Sequence, residues 1–283
     1  MTEPHDMTEP HDTDARDTDP GLLHLRAHIA FHLEDVDGGS PHGFLPLSPR
    51  TVHRDGSPSL GAVATMVDVV GMRAVGHDGP MVTSHLALRM PTRPAGRELR
   101  CWGRSARQGK TGGTSIVEVV DDDGERVGVA TLTGAALVPG GGTHVKRSDG
   151  PDDFYVQRPR PTDGPHPEDF IGLEADGHRE GAFRYRMAFH ESLRNVNGVL
   201  HGGGACLIAE QAARCAATDA GAVGTVFDSL DVHFLKPGLV GPFTARVELV
   251  PPSGDRRAFV VEVFDAGRED RRIALGLLTG HGP

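Results

Sequence analysis

Two stretches of this chain share an unusual composition, because each has the small apolar residues of a buried helix and a single carboxylate among them. The first stretch, 61–75, contains Asp68, and the second, which begins at Gly202, contains Glu210. An ionised acid is costly to bury in such a helix unless it is paired or has a chemical role. The two acids correspond when the halves of the chain are aligned with an offset of about 142 residues. The sequence therefore predicts a duplicated unit.

The strands predicted after each helix extend this duplication over most of the chain. In both halves the first of them ends in a basic residue and proline, at 81–94 and at 226–237. Alternation of apolar and polar residues is clearest at 115–120 and 258–264. Each unit thus reads as a strand, a loop, a helix and four strands, and a single apolar helix needs a sheet to cover it. The predicted fold class is α+β, with the remaining strands at 97–106, 126–138, 244–250 and 272–280.

The start of the second helix is suited to hold developing negative charge. His201, Gly202 and Gly203 stand there, preceded by turn residues that begin at Asn195. The first N–H groups of a helix have no partner within it, and glycine lets a ligand approach the backbone closely. Oxyanion donors and a nearby carboxylate are the components of an acyl-transfer site. The first half has Ser-Leu-Gly at the corresponding positions, 59–61, and therefore keeps the acid but lacks the histidine.

This order of elements, with the pattern Asn-x-x-Gly-x-x-His-Gly-Gly at 195–203 followed by Glu210, resembles the PaaI-like (phenylacetyl-CoA type) acyl-CoA thioesterases. The resemblance covers both halves, although the motif is specific only in the second. It implies a tandem double hotdog fold, in which each half has a long central helix wrapped by a curved antiparallel sheet. It also implies an enzyme that hydrolyses an acyl-CoA thioester to the free acid and coenzyme A, at a site shared between the halves.

The length of a helix indicates which acid acts together with the complete motif at 195–203. Glu210 lies roughly 13 Å beyond the start of its own helix, at about 1.5 Å per residue. The oxyanion donors and the base must both lie about 3 Å from the reacting group. One helix cannot supply both, so we predict a site that combines Asp68 with the 195–203 motif of the other half. Glu210 remains the alternative acid, and either acid could act as a nucleophile or as a general base.

The other predicted site residues have supporting roles. The N–H groups of Gly202 or Gly203 would hold the oxyanion, and Asn195 would orient the water or the carboxylate. His201 has two equal interpretations, contact with the acyl carbonyl or capping of the helix. Basic residues at the strand ends are candidates to bind the phosphates of coenzyme A, namely Arg89, Arg93 and Lys236.

Composition limits the cellular compartment and the classes of binding partner that we expect for this protein. The net charge is −10 and no basic surface for nucleic acid is indicated. No apolar run reaches the ~20 residues that span a bilayer, and the N-terminus is acidic and polar, unlike a signal peptide. The three cysteines show no paired spacing. We therefore expect a cytoplasmic protein that binds neither nucleic acid nor membrane. The resemblance implies acyl-CoA as its binding partner, with no cofactor or metal. By analogy alone, it is expected to form a homodimer of tandem chains.

Four segments follow from these patterns. Residues 1–21 repeat the sequence Met-Thr-Glu-Pro-His-Asp and are predicted to be a disordered tail. Residues 22–139 form the first predicted domain, with the degenerate motif, and residues 168–283 form the second. The segment 140–167 is rich in glycine, proline and charge and is predicted to be the linker.

Two other functions remain open. A degenerate double hotdog could bind acyl-CoA without hydrolysing it, which the lost motif of the first half favours. A hotdog-fold enoyl-CoA hydratase would use an Asp-x4-His pair, and Asp228 and His233 have that spacing. They fall inside a predicted strand, however, where an odd separation places them on opposite faces.

Overall fold

The computed structural model describes residues 25–34, 40–76, 81–137, 163–195 and 198–282. These residues form one sheet, on which two long helices pack. The elements of the first half are α1 Leu25–His28, β1 His32–Glu34, β2 His42–Pro46, α2 Leu60–Val75, β3 Met81–Arg89, β4 Glu98–Gly109, β5 Gly112–Val120 and β6 Arg126–Ala136. Those of the second half are α3 Pro167–Ile171, β7 Glu174–Arg179, β8 Ala182–Met187, α4 Gly202–Asp219, β9 Val226–Phe234, β10 Phe243–Ser253, β11 Arg256–Asp265 and β12 Arg271–His281.

The long helices and the four strands after each of them lie where the sequence predicts them. The difference is at the start of each half, where a short helix and two strands precede the long helix instead of one strand. The extra strands lack the alternation that would predict them, because β1 has only three residues and every residue of β7 is exposed. The predicted tail and most of the predicted linker lie outside the described residues.

The two halves contribute to a single twelve-stranded sheet, whose order is β1-β2-β4-β5-β6-β3-β9-β12-β11-β10-β8-β7. All neighbouring strands are antiparallel. The halves meet where β3 pairs with β9, in a register that sets His85 opposite His233 and Arg89 opposite Ser229. Alternate residues of these strands, including Leu86 and Leu230, are fully buried. One face of the sheet therefore covers the helices, and the other face of the β3–β9 pair points away from them.

The two long helices lie antiparallel and in close contact, which two glycines permit. A Cβ atom on Gly61 would lie 2.7 Å from the Cα of Leu207, and one on Gly203 would lie 2.0 Å from Oγ1 of Thr65. The two contacts are equivalent under the same offset that relates Asp68 to Glu210. The helices thus cross about a local pseudo-twofold axis, and each passes beside the N-terminus of the other.

Most side chains of both helices are buried, and the few polar ones among them include Thr65 and Glu210. Among the described residues, neither long helix combines the length and the apolar character needed to cross a membrane.

Replacing Gly203 with alanine tests the helix contact. We expect Gly203→Ala to lower the free energy of unfolding by about 1–3 kcal/mol, because the new methyl group overlaps Thr65. Gly204→Ala is the matched control, since its nearest neighbour is the flexible end of Leu200 at 3.1 Å, and we expect a change within about 1 kcal/mol. Urea denaturation of both variants measures the difference. Equal losses of stability would contradict the close helix contact.

Candidate active site

The structure places Asp68 of the first half beside the N-terminus of α4 in the second half. Its Oδ2 atom lies 3.2 Å from the position that a Cβ atom on Gly202 would occupy. The hydroxyl of Thr83 on β3 donates a hydrogen bond of 2.5 Å to the other carboxylate oxygen, Oδ1. The ring of Phe234 lies 3.6 Å from the same Gly202 position. One oxygen of Asp68 is therefore held by Thr83 while the other faces the start of α4.

The surroundings of Asp68 increase its affinity for a proton. Burial raises the pKa of this carboxyl above its ordinary value, and the Thr83 hydrogen bond and the charge of Arg26 offset this only in part. The side chain nevertheless keeps some accessible surface. A carboxylate with a raised pKa is a stronger base than an exposed aspartate, which suits it to accept a proton from water.

His201 caps helix α4. Its Nδ1 atom accepts a hydrogen bond of 3.0 Å from the N–H of Gly203, and its backbone is extended, as expected for the residue before a helix. Of its two predicted roles, capping is thus visible in the structure. The N–H of Gly203 is used in this cap, so Gly202 is the better candidate for an oxyanion donor.

Asn195 shapes the turn that leads to α4. Its N–H donates to the carbonyl of Val199 at 2.7 Å, its carbonyl accepts from Gly198 at 2.9 Å, and its side-chain oxygen accepts from the N–H of Val199 at 3.3 Å. Residues 196 and 197 lie outside the described residues. These contacts fix the loop beside the site, and the predicted orientation of a water or carboxylate by Asn195 remains a prediction.

Glu210 lies in the pseudo-symmetric position, at the N-terminus of α2, but its surroundings differ. The N–H groups of Leu60 and Gly61 donate to its carboxylate at 2.8 and 2.9 Å, and the hydroxyl of Ser59 donates at 2.6 Å. His53 Nε2 donates at 3.0 Å, and the Glu210 side chain is 1% exposed. The carboxylate therefore occupies the backbone donors that would otherwise be available to an oxyanion.

His53 and Glu210 form a buried ion pair. Burial by itself would lower the pKa of His53, but the charge of Glu210 and hydrogen bonds to Glu168 and Glu210 together raise it to about 9. Burial would likewise raise the pKa of Glu210, and the charge and hydrogen bond of His53, with the Ser59 hydroxyl and the charge of Arg214, instead lower it. Both groups are charged at neutral pH, so Glu210 is a poor proton acceptor.

The three basic residues predicted to bind coenzyme A lie in different places. Arg89 points away from the helices and donates to Asp231 Oδ2 at 3.4 Å. Arg93 donates to the carbonyl of Gly56, in the loop before α2. Lys236 is exposed and lies two residues after Phe234, whose ring lies beside Gly202. Of the three, only Lys236 lies close in sequence to a residue beside the Asp68 site. The three residues do not form one cluster.

Several residues of the two sites carry no signal in the sequence. Thr83 lies two residues from His85, so simple alternation would put both on one face, but a bulge between them allows Thr83 to reach Asp68 while His85 faces away. His53 lies in a loop far from Glu210 in sequence. Neither contact follows from periodicity.

The two residues of the alternative hydratase pair have separate partners. Asp228 accepts from Arg256 Nη1 at 3.0 Å and contacts His281 Nε2 at 2.6 Å. His233 stacks on His85, with the ring centroids 4.4 Å apart. Neither residue faces the Asp68 site, so no observation favours the hydratase interpretation.

Comparison with known proteins gives one relative in sequence and many in structure. No protein-family model matches the chain. A stretch of 110 residues is 32% identical to "Putative esterase SSO1253" of Saccharolobus solfataricus, and it covers 38% of this chain and 72% of that protein. The chain belongs to the family of this esterase.

Solved structures similar over most of the chain show the fold. A protein of Novosphingobium aromaticivorans named "putative thioesterase" has a TM-score of 0.64 at 16% identity, over 89% of this chain and 98% of that one. The tesB protein of Mycobacterium avium has a TM-score of 0.63 at 11% identity, over 92% and 98%. A hotdog-fold protein of Alicyclobacillus acidocaldarius has a TM-score of 0.54 at 13% identity, over 92% and 97%. The chain therefore has the hotdog fold. The narrower resemblance to the phenylacetyl-CoA type remains a prediction.

The buried pair predicts how stability depends on pH. His53 has a raised pKa, so its contribution is fully present below its ordinary pKa of 6.5 and is lost as the pH rises through about 9. The free energy of unfolding should therefore fall between pH 6.5 and 9. Glu210→Gln should lower the free energy of unfolding by about 3–5 kcal/mol at pH 6.5, because His53 would then be buried without the charge of Glu210. The decrease of this free energy between pH 6.5 and 9 should also become smaller.

Glu191→Gln is the control for this measurement. Glu191 pairs with Arg194 at 2.8 Å on the surface and is 63% exposed, so we expect a loss of only about 0–1 kcal/mol. Denaturant unfolding at pH 6.5 and 9 compares the variants. If Glu210→Gln is no more harmful than Glu191→Gln, the account of the buried pair is wrong.

Proposed function

We propose that this chain is a tandem double hotdog acyl-CoA thioesterase with one active site, formed by Asp68 of the first half and the N-terminus of α4 in the second. The observation that carries the proposal is the position of Asp68 Oδ2 beside Gly202. A carboxylate and oxyanion donors meet there, which the chemistry of thioester hydrolysis requires. The names of the relatives agree with the proposal, since one is named "Putative esterase SSO1253" and two solved neighbours are named "putative thioesterase" and "oleoyl thioesterase (putative)".

The geometry supports a general-base reaction. Asp68 Oδ2 removes a proton from a water molecule as the water oxygen attacks the thioester carbonyl carbon. The N–H of Gly202 and the positive end of the α4 dipole stabilise the oxygen that becomes negative. The C–S bond then breaks, and the sulfur leaves as a thiolate, a good leaving group because thiol pKa values lie near 8.5. The acid and coenzyme A are released.

Asp68 could instead attack the carbonyl carbon directly and form an anhydride that water then cleaves. The Thr83 hydrogen bond fixes the carboxylate for either route. A single turnover in ¹⁸O-labelled water tests for the anhydride, because water that attacks its Asp68 carboxyl carbon places the label in Asp68 and an unlabelled Asp68 oxygen in the acid. General-base catalysis places the label in the acid and none in Asp68, so label in Asp68 would establish direct attack.

The proposal assigns no catalysis to the Glu210 site. Its backbone donors are occupied by the carboxylate itself, and His53 neutralises the charge. At the Glu210 site, the carboxylate and the backbone donors therefore bind each other instead of a substrate. Lys236 is the candidate to contact a phosphate of coenzyme A at the working site.

Substitution of the two acids should separate the sites. We expect Asp68→Asn to lower kcat/KM for acyl-CoA hydrolysis by at least about 10²-fold, since it removes the base. Glu210→Gln should keep kcat/KM within a few-fold at temperatures where the variant is folded. Thiol release from short, medium, long and aryl acyl-CoAs measures both variants and identifies the preferred substrate.

Asp68→Asn is not expected to unfold the protein. Because burial raises the pKa of Asp68 above 3.8, its ionised form costs stability above that pH, and a neutral amide removes the cost. Full activity in Asp68→Asn with loss in Glu210→Gln would refute the assignment. Tight acyl-CoA binding by the wild type without thiol release would favour a non-catalytic acyl-CoA-binding protein.

A further inference from the structure

A second cluster of chemically active side chains lies on the face of the sheet that points away from the helices. It consists of His85 on β3 and Asp231 and His233 on β9, whose ligand atoms all lie within 4.8 Å of one another. The site is independent of the proposed thioesterase function, because the sheet separates it from Asp68.

Strand pairing brings these residues together. His85 and His233 are directly opposite each other, and Asp231 is two residues from His233 and therefore on the same face. His85 Nε2 lies 2.7 Å from Asp231 Oδ1, and His233 Nε2 lies 4.0 Å from the same oxygen. The bulge after Thr83 turns His85 to this face.

The donor set and its spacing fit a divalent transition metal. Two imidazole nitrogens and one carboxylate oxygen, with a position left for water, match the ligands that Zn²⁺ takes at about 2.0–2.2 Å. Ligand atoms around a tetrahedral ion lie about 3.3 Å apart, between the 2.7 and 4.0 Å found here. All three ligand atoms lie within 4.8 Å of one another, so small side-chain rotations would bring them to this spacing.

Arg89 orients the carboxylate in this cluster. Its guanidinium lies 3.4 Å from Asp231 Oδ2, and it also donates to the carbonyl of Leu88 at 3.1 Å. This contact leaves Oδ1 directed at the imidazoles. Residues that hydrogen-bond to metal ligands commonly orient those ligands in this way. The side chains of His85 and Asp231 are 28% and 24% exposed, and that of His233 is 56% exposed, so an ion can reach them from solvent.

We propose that His85, Asp231 and His233 form a binding site for one Zn²⁺-like divalent ion that joins the two halves of the chain across the β3–β9 seam. Such an ion binds the folded chain and not the unfolded one, because the ligands come from strands that are distant in sequence. It should therefore raise the melting temperature.

The test uses the full chain, dialysed against chelator and titrated with ZnCl₂. We expect binding of one ion with a rise in melting temperature, and at least a tenfold weaker affinity in His85→Gln, Asp231→Asn and His233→Gln. The control is His178→Gln, at an exposed strand histidine outside the cluster, which should bind as the wild type does. Co²⁺ should give visible absorption bands that the His233→Gln variant lacks.

His233 is the decisive position, since it is the most exposed of the three ligands and its substitution should leave the fold intact. Circular dichroism of the metal-free variant checks this. No rise in melting temperature with Zn²⁺ in the wild type would overturn the proposal. A rise that persists undiminished in the His85→Gln/His233→Gln double variant would also overturn it, and would place the ion elsewhere.

Discussion

The close antiparallel contact of the two long helices determines where both buried carboxylates lie. Gly61 and Gly203 have no side chain to separate the helices, so each backbone reaches the other near its N-terminus. This approach brings the carboxylate in the middle of one helix to the unpaired N–H groups at the start of the other. One glycine contact in each half therefore creates two places where a carboxylate meets oxyanion donors.

The hydrogen-bond partners of the two carboxylates differ, although the helix contact is the same at both places. Asp68 is held by a single hydroxyl and presents its second oxygen to Gly202. Glu210, with its longer side chain, reaches the backbone donors of α2 directly and pairs with a buried histidine. The first arrangement leaves one oxygen of a carboxylate with a raised pKa facing a helix N-terminus. The second joins the carboxylate to four hydrogen-bond donors, from His53, Ser59, Leu60 and Gly61, in a buried contact.

The sequence predicts the parts of the fold that have strong periodicity. The two apolar helices and the eight strands after them are found. Asp68 lies near the start of the opposite helix, and its predicted role in a site shared between the halves remains a prediction. The edge strands β1 and β7 are not predicted, because they are short or fully exposed. Thr83 and His53 are also not predicted. Their contacts depend on a bulge and on a distant loop, which are tertiary features without a local pattern.

We propose that the chain has one working site and that the ion pair of His53 and Glu210 has closed the other. The number of substrate molecules bound per chain distinguishes one open site from two. Calorimetric titration with a thioether analogue of the preferred acyl-CoA, which cannot be hydrolysed, counts them. We expect one equivalent per chain, whereas two equivalents would mean that the Glu210 site is also open to substrate.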